Sequence, residues 1–163
     1  MEITPNAQPK ITPFLWFNGT AEEAMLFYTS IFKHSRIGSV QRYPANGTMP
    51  AGTVLSCTFE LEGQKFMALN GSPAPSFTPA VSFFVHCEDQ AEVDELWDKL
   101  SAGGREDQCG WLQDRYGLSW QIIPRQLAQL LHTPDPDKAG RVLHAMLQMT
   151  KIDIATLERA HAG

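Results

Sequence analysis

Thr20-Ala-Glu-Glu-Ala-Met-Leu-Phe-Tyr-Thr-Ser-Ile31 and Asp89-Gln-Ala-Glu-Val-Asp-Glu-Leu-Trp-Asp-Lys-Leu100 are the two stretches that decide the fold. Each opens on a residue whose side-chain oxygen can cap a helix, Thr20 or Asp89, with a glutamate three places on, Glu23 or Glu92, as in a capping box. Each then carries an apolar stripe at helical spacing: Ala24, Phe27, Tyr28 and Ile31 in the first, Val93, Leu96, Trp97 and Leu100 in the second. Residue by residue the two sets stand 69 positions apart. The elements around them repeat as well. Before the first helix, Ile11 to Phe17 is a nearly continuous apolar strand ended by Asn18-Gly19. After it come strands at Ser39 to Tyr43, Thr53 to Leu61 and Lys65 to Asn70, the last two joined by a Glu62-Gly63 hairpin turn. A connector, Gly71 to Pro79, leads to the strand Ala80 to His86 and the second helix, which Gly103-Gly104 ends as an αL cap requires. Short strands follow near Glu106 to Cys109, Gly110 to Gln113 and Leu118 to Ile123.

The sequence therefore predicts an α+β fold of two β-α-β-β-β modules, about residues 10–71 and 79–124, in a single domain spanning 1–163. Two copies that each expose an apolar sheet face can bury those faces by packing together, and the expected product is a curved sheet with a cleft. Beyond Pro124 a helical tail, about 125–163, carries Leu127, Leu130, Leu131, Val142, Leu143, Met146 and Leu147 at helix spacing, with Asp153 as a cap for a last helix. The tail either covers its own module or docks on a second subunit.

The chain's 163 residues at 43% hydrophobic content suffice for one well-filled core. A net charge of −5 without a basic run excludes a track for nucleic acid. No apolar stretch approaches the ~20 residues that span a bilayer, and Met1 to Pro13 has no secretory pattern, so the expected location is cytoplasmic. Cys57, Cys87 and Cys109, without paired spacing, read as reduced thiols buried in strands.

The repeated strand-helix-three-strand order, together with particular segments, resembles the PhnB-like branch of the vicinal oxygen chelate superfamily, which has the glyoxalase/bleomycin-resistance/dioxygenase fold. The segments are Phe17-Asn-Gly-Thr-Ala-Glu-Glu-Ala24, Phe66-Met-Ala-Leu-Asn-Gly71, Asp94-Glu-Leu-Trp-Asp-Lys-Leu100 and Cys109-Gly-Trp-Leu-Gln-Asp-Arg-Tyr-Gly-Leu-Ser-Trp-Gln121. The resemblance implies a homodimer. It also brings the label 3-demethylubiquinone-9 3-methyltransferase, which the residues do not support: no glycine-rich strand-to-helix loop for S-adenosylmethionine is present, and Gly103-Gly104 follows a helix instead.

Enzymes of the superfamily hold a divalent metal through His and Glu on the first and last strands of each module. Here those positions read Thr12, Ala68, Ala80 and Gln121, a donor set too weak for such an ion. The histidines 34, 86, 132, 144 and 161 lack ligand spacing. No cofactor is predicted, although a divalent metal remains the alternative. Strand alternation sets Thr12 with Phe14 and Trp16, Ala68 with Phe66 and Asn70, Ala80 with Ser82 and Phe84, and Gln121 with Ser119 and Ile123. The expected ligand pocket is Thr12, Phe14, Trp16, Asn70, Ser82, Phe84, Trp111 and Gln121, aromatic rings with a few polar atoms to orient a small organic molecule. Asp114 is a candidate acid/base or else a turn-holding carboxylate. Three functions stay open: metal-free binding of a small molecule with the reaction unknown, a metal-dependent lyase, isomerase or dioxygenase, and the methyltransferase of the family label.

Overall fold

The computed structural model describes residues 9–163, so the reading of Met1 to Gln8 lies outside the described residues. The chain forms two compact units that part after Pro75, inside the expected connector. The first contains β1 (Phe14–Phe17), α1 (Ala21–Ile31), β2 (Ser35–Arg42), β3 (Val54–Leu61) and β4 (Gln64–Asn70). Its sheet runs β1-β4-β3-β2, with β1 parallel to β4 and the other pairs antiparallel. The second repeats the scheme with β5 (Ser82–Cys87), α2 (Gln90–Ser101), β6 (Arg105–Glu106), β7 (Trp111–Gln113) and β8 (Ser119–Pro124), in the order β5-β8-β7-β6, β5 and β8 being the parallel pair. Both modules are thus β-α-β-β-β, as the repeat predicts.

Each helix covers one face of its sheet. In the first unit, Ala21, Ala24, Met25, Tyr28 and Ile31 of α1 are buried, as are Leu15 and Phe17 of β1, Cys57, Phe59 and Leu61 of β3, and Phe66 and Ala68 of β4. The rings of Phe59 and Phe66 stack with centroids 5.3 Å apart, and Tyr28 lies 6.1 Å from Phe59. In the second unit Val93, Leu96, Trp97 and Leu100 of α2 are buried along with Cys87, Leu112, Trp120 and Ile122. The indole N–H of Trp97 finds Glu106 Oε1 at 2.8 Å, which satisfies the one polar atom of a large buried ring.

Strand ends depart from expectation for local reasons. Strand β1 begins at Phe14, not Ile11, which is 85% exposed; Pro13 has no N–H to pair and only its carbonyl joins the ladder, accepting from Met67 N–H at 2.9 Å. Strand β2 begins at Ser35 rather than Ser39, carried across a register shift between Ile37 and Val40. In the second unit β5 runs from Ser82 to Cys87 rather than Ala80 to His86, and β6 covers only Arg105–Glu106. The expected strand through Cys109 is replaced by a turn, Cys109 having φ 57° and Gly110 φ 82°. The Glu62-Gly63 turn has positive φ at both residues, 47° and 83°, the geometry a tight hairpin needs.

The first helix is capped differently from its predicted box. Thr20 makes no side-chain cap, and the Ala21 N–H is instead taken by Asn70 Oδ1 at 2.9 Å. Asp89 does cap α2, accepting from Glu92 N–H at 2.8 Å. Because Asn70 also donates to Val54 O at 3.2 Å, Asn70→Ala removes both a cap and a strand tie. The expected cost is about 1–2 kcal/mol in urea unfolding.

The tail forms α3 (Arg125–Leu131), α4 (Pro136–Leu147) and α5 (Ile154–Ala162) and closes on its own module. Leu127, Val142, Ile152 and Leu157 are buried with Ile123 of β8 in a small core, and Leu130 and Met146 pack against it. Backbone bonds tie it down: Cys109 N–H donates to Met149 O and Gly110 N–H to Thr150 O, both at 2.8 Å. Gln90 bridges from α2, donating to Ile152 O at 3.0 Å and accepting from Ile154 N–H at 2.8 Å. Asp135 caps α4, and Asp153 caps α5 as expected.

Lys151 pairs with Asp94 at 2.9 Å. The Gln90 amide and then Lys151 hold the Asp94 carboxyl below its usual range, while Asp94 holds Lys151 above its own. The Asp94 contribution is therefore full above about pH 4 and fades as pH falls through its lowered value; that of Lys151 is full below about pH 10 and fades as pH rises past its raised one. Both groups are exposed enough that the pair contributes little.

No helix among the described residues is long and apolar enough to cross a membrane. All three cysteines are free. Burial, with Glu22 adding repulsion, pushes the Cys57 thiol up to about 11, and burial with Glu92, Asp89 and Glu88 nearby pushes Cys87 up to about 12. Cys109, expected in a strand, sits half-exposed in its turn. An aromatic disulfide reagent at pH 8 should label Cys109 within minutes and the other two only on unfolding; rapid release of three equivalents would contradict this burial.

Candidate functional site on the open sheet faces

Each sheet has a second face, opposite its helix. Strand register assigns its residues, because directly paired positions point the same way. In the first unit Phe14 pairs with Met67 and Trp16 with Leu69, and across β3 these continue to Thr58 and Ser56. Phe14, Trp16 and Met67 are 48%, 43% and 40% exposed, high for rings and a thioether of this size. Trp16 is fixed despite its exposure. Its indole N–H donates to Gly71 O at 3.2 Å, and a Cβ on Gly71 would collide with the same ring. Thr12 and Met67 border a recess of about 490 Å³ that also reaches Arg36, Glu60 and Lys65.

Asn70 does not belong with this group. It pairs with Phe17, on the helix-covered side, and Ala68 pairs with buried Leu15. The expectation that Ala68, Phe66 and Asn70 share the face of Thr12 is corrected by one residue: Met67 and Leu69 are the β4 residues on the open face. Asn70 instead borders a separate recess of about 830 Å³ with Glu22, Leu26, Tyr43 and Met49, beside α1.

In the second unit Phe84 pairs with Gln121, and Gln121 with Trp111. These three share the open face with Ser82, Ser119 and Gln113 of the neighbouring positions. Gln121 Nε2 donates to Ser82 Oγ at 3.0 Å. Phe84 is 47% exposed and touches the His86 ring, centroids 4.7 Å apart. Here the face expected from alternation is the face observed. Trp120 lies on the other side: it is 2% exposed and donates to Asp114 Oδ2 at 2.9 Å.

Asp114 itself is 2% exposed, and its other oxygen accepts from Tyr116 N–H at 2.8 Å and Leu118 N–H at 3.1 Å. Three N–H donors on one carboxylate describe a turn-holding group, and the contacts support that alternative over an acid or base.

No three His, Cys, Asp or Glu side chains cluster at metal-binding distance among the described residues. On the open faces the first and last strands of each module present Phe14 and Trp16, Met67 and Leu69, Ser82 and Phe84, Ser119 and Gln121. His86, also on the β5 face, pairs with apolar Ile123.

Paired modules of this topology define the glyoxalase/bleomycin-resistance class of the vicinal oxygen chelate superfamily. The model of the family described as 3-demethylubiquinone-9 3-methyltransferase matches residues 9–123, and the chain belongs to that PhnB-like family. A Bacillus cereus PhnB protein carrying the same methyltransferase description is 44% identical, with 71% of this chain and 99% of that one covered at a TM-score of 0.67. A Pseudomonas aeruginosa protein is 20% identical over 72% of this chain and 98% of its own, TM-score 0.57. The fosfomycin resistance protein FosX of Listeria monocytogenes, 13% identical over 80% of this chain and 100% of its own, shares the fold at a TM-score of 0.56. No curated protein sequence matches the chain. The family match ends at residue 123, before the helical tail.

Proposed function

We propose that the protein binds a small organic molecule against the open sheet faces and does so without a resident divalent metal. The observation that carries this reading is the composition of each face: half-exposed Phe14 and Trp16 in the first unit, and in the second half-exposed Phe84 and partly buried Trp111 with the amide of Gln121 and the hydroxyl of Ser82. That is the makeup of a small-molecule site, apolar walls with a few oriented polar atoms. The superfamily's metal needs imidazole or carboxylate donors at the strand positions named above, and thioether, hydroxyl and amide groups do not fit it.

The methyltransferase description finds no support in the chain's own chemistry. A cofactor bound at the start of α1 would need the free N–H groups there, and the first of them is held by Asn70. Cytoplasmic location and a homodimer complete the proposal, the latter by analogy with the family; sedimentation at micromolar concentration tests it directly.

The binding reading is tested by elemental analysis and melting together. Protein purified without added metal should carry far less than one equivalent of zinc, nickel, manganese or iron. A metabolite screen should return hits that stabilise it by about 2.7 kcal/mol at a hundredfold excess over Kd. One equivalent of tightly held metal would overturn the metal-free part, and hits unaffected by Phe84→Ala and Trp16→Ala would overturn the placement.

A further inference from the structure

We infer that the open face of the second module is built for a flat, uncharged ligand with a hydrogen-bonding edge, and that Ser119 is the binding residue that meets this edge. The inference rests on the binding reading above and names its ligand class. Register divides the face into two adjoining rows. One is polar, Gln113-Ser119-Ser82 across β7, β8 and β5; the next is Trp111-Gln121-Phe84.

Ser119 stands at the middle of the polar row. It is 1% exposed, and its Oγ has no hydrogen-bond partner among the described residues. Buried hydroxyls in native proteins are nearly always paired, so an orphan on a candidate binding face marks a group awaiting its partner. Alternation directs the side chain: neighbouring Trp120 is buried on the helix side against Asp114, which turns Ser119 toward the face of Gln121. The Gln121-Ser82 bond occupies one amide hydrogen and leaves the Gln121 carbonyl oxygen and the Ser82 hydroxyl proton for a ligand.

Charge selects the ligand further. Neither row contains an ionisable side chain; His86 stands in the row beyond, its ring against Phe84 with centroids 4.7 Å apart. The nearest ionisable group along the polar row, Arg105 beyond Gln113, is held by Asp107 at 2.9 Å. An anion or cation laid over these two rows loses water and gains no counter-charge from them, whereas a carbonyl, amide or hydroxyl gains the polar row and its ring gains Phe84 and Trp111.

The test uses three probes of one shape, benzamide, benzoate and benzylamine, titrated to about 10 mM, where ligands this small are expected to bind, with Trp111 indole NMR as readout. Benzamide should bind at least about tenfold more tightly than either charged probe. Ser119→Ala should weaken benzamide about fivefold or more and at the same time raise the melting temperature of the ligand-free protein, because alanine removes the orphan hydroxyl. Unchanged benzamide affinity in Ser119→Ala, or preference for a charged probe, overturns the inference; if Phe84→Ala still abolishes that binding, the broader reading survives. Silence of the Trp111 signal toward all three probes overturns the inference, whereas the broader reading falls only if the metabolite screen also returns no hit. A melting temperature lowered by Ser119→Ala with affinity intact identifies a hydroxyl serving the fold alone and also overturns the inference.

Discussion

Replacing Asp114 by alanine should lower the unfolding free energy by about 3–5 kcal/mol, read from urea denaturation. The carboxylate is buried and receives three donors: the amides of Tyr116 and Leu118 and the indole of Trp120. Alanine leaves these without their acceptor, in a turn that joins β7 to the strand bearing Gln121. Asp114→Asn keeps one oxygen acceptor and should lose less. A loss under about 1 kcal/mol for the alanine variant would show that the turn does not depend on this group and would reopen its reading as an acid or base.

Trp97→Ala should cost a similar amount, about 3–5 kcal/mol, the range for deleting a large buried ring. Trp97 is 2% exposed in the stripe of α2, and its N–H is paired with Glu106. The substitution opens a cavity beneath the helix and releases the two-residue strand β6 from its side-chain anchor. Trp97→Phe should keep most of the packing and lose the hydrogen bond, costing visibly less. Near-neutral behaviour of Trp97→Ala would contradict the helix-to-sheet core of the second unit.

The duplicated architecture was legible because both helices announce themselves by stripe and start signal, and because Glu62-Gly63 and Gly103 mark turns that demand positive φ. The face of β4 was not. Phe66-Met-Ala-Leu carries no polar alternation, so nothing local sets its phase; the phase comes from pairing with β1, about fifty residues earlier in the chain. Asn70 was misread for the same reason, its cap lying 49 residues away at Ala21. On β8, by contrast, Gln121 stands out between Trp120 and Ile122, and its face was assigned correctly. The tail's docking depends on Gln90 reaching Ile152 across 62 residues, a contact no local pattern encodes. Ser119 escaped notice as a site residue because a serine in a strand carries no signal until burial and the lack of a partner are seen together.

The four tryptophans provide the most direct test of ligand binding at the open faces. Trp16 and Trp111 lie on those faces, whereas Trp97 and Trp120 are buried on the helix sides with their N–H groups held by Glu106 and Asp114. Indole N–H resonances recorded during titration with a hit from the metabolite screen should move for Trp111 or Trp16 and stay fixed for Trp97 and Trp120. Shifts confined to Trp97 and Trp120, or saturable binding that moves none of the four, would contradict the account.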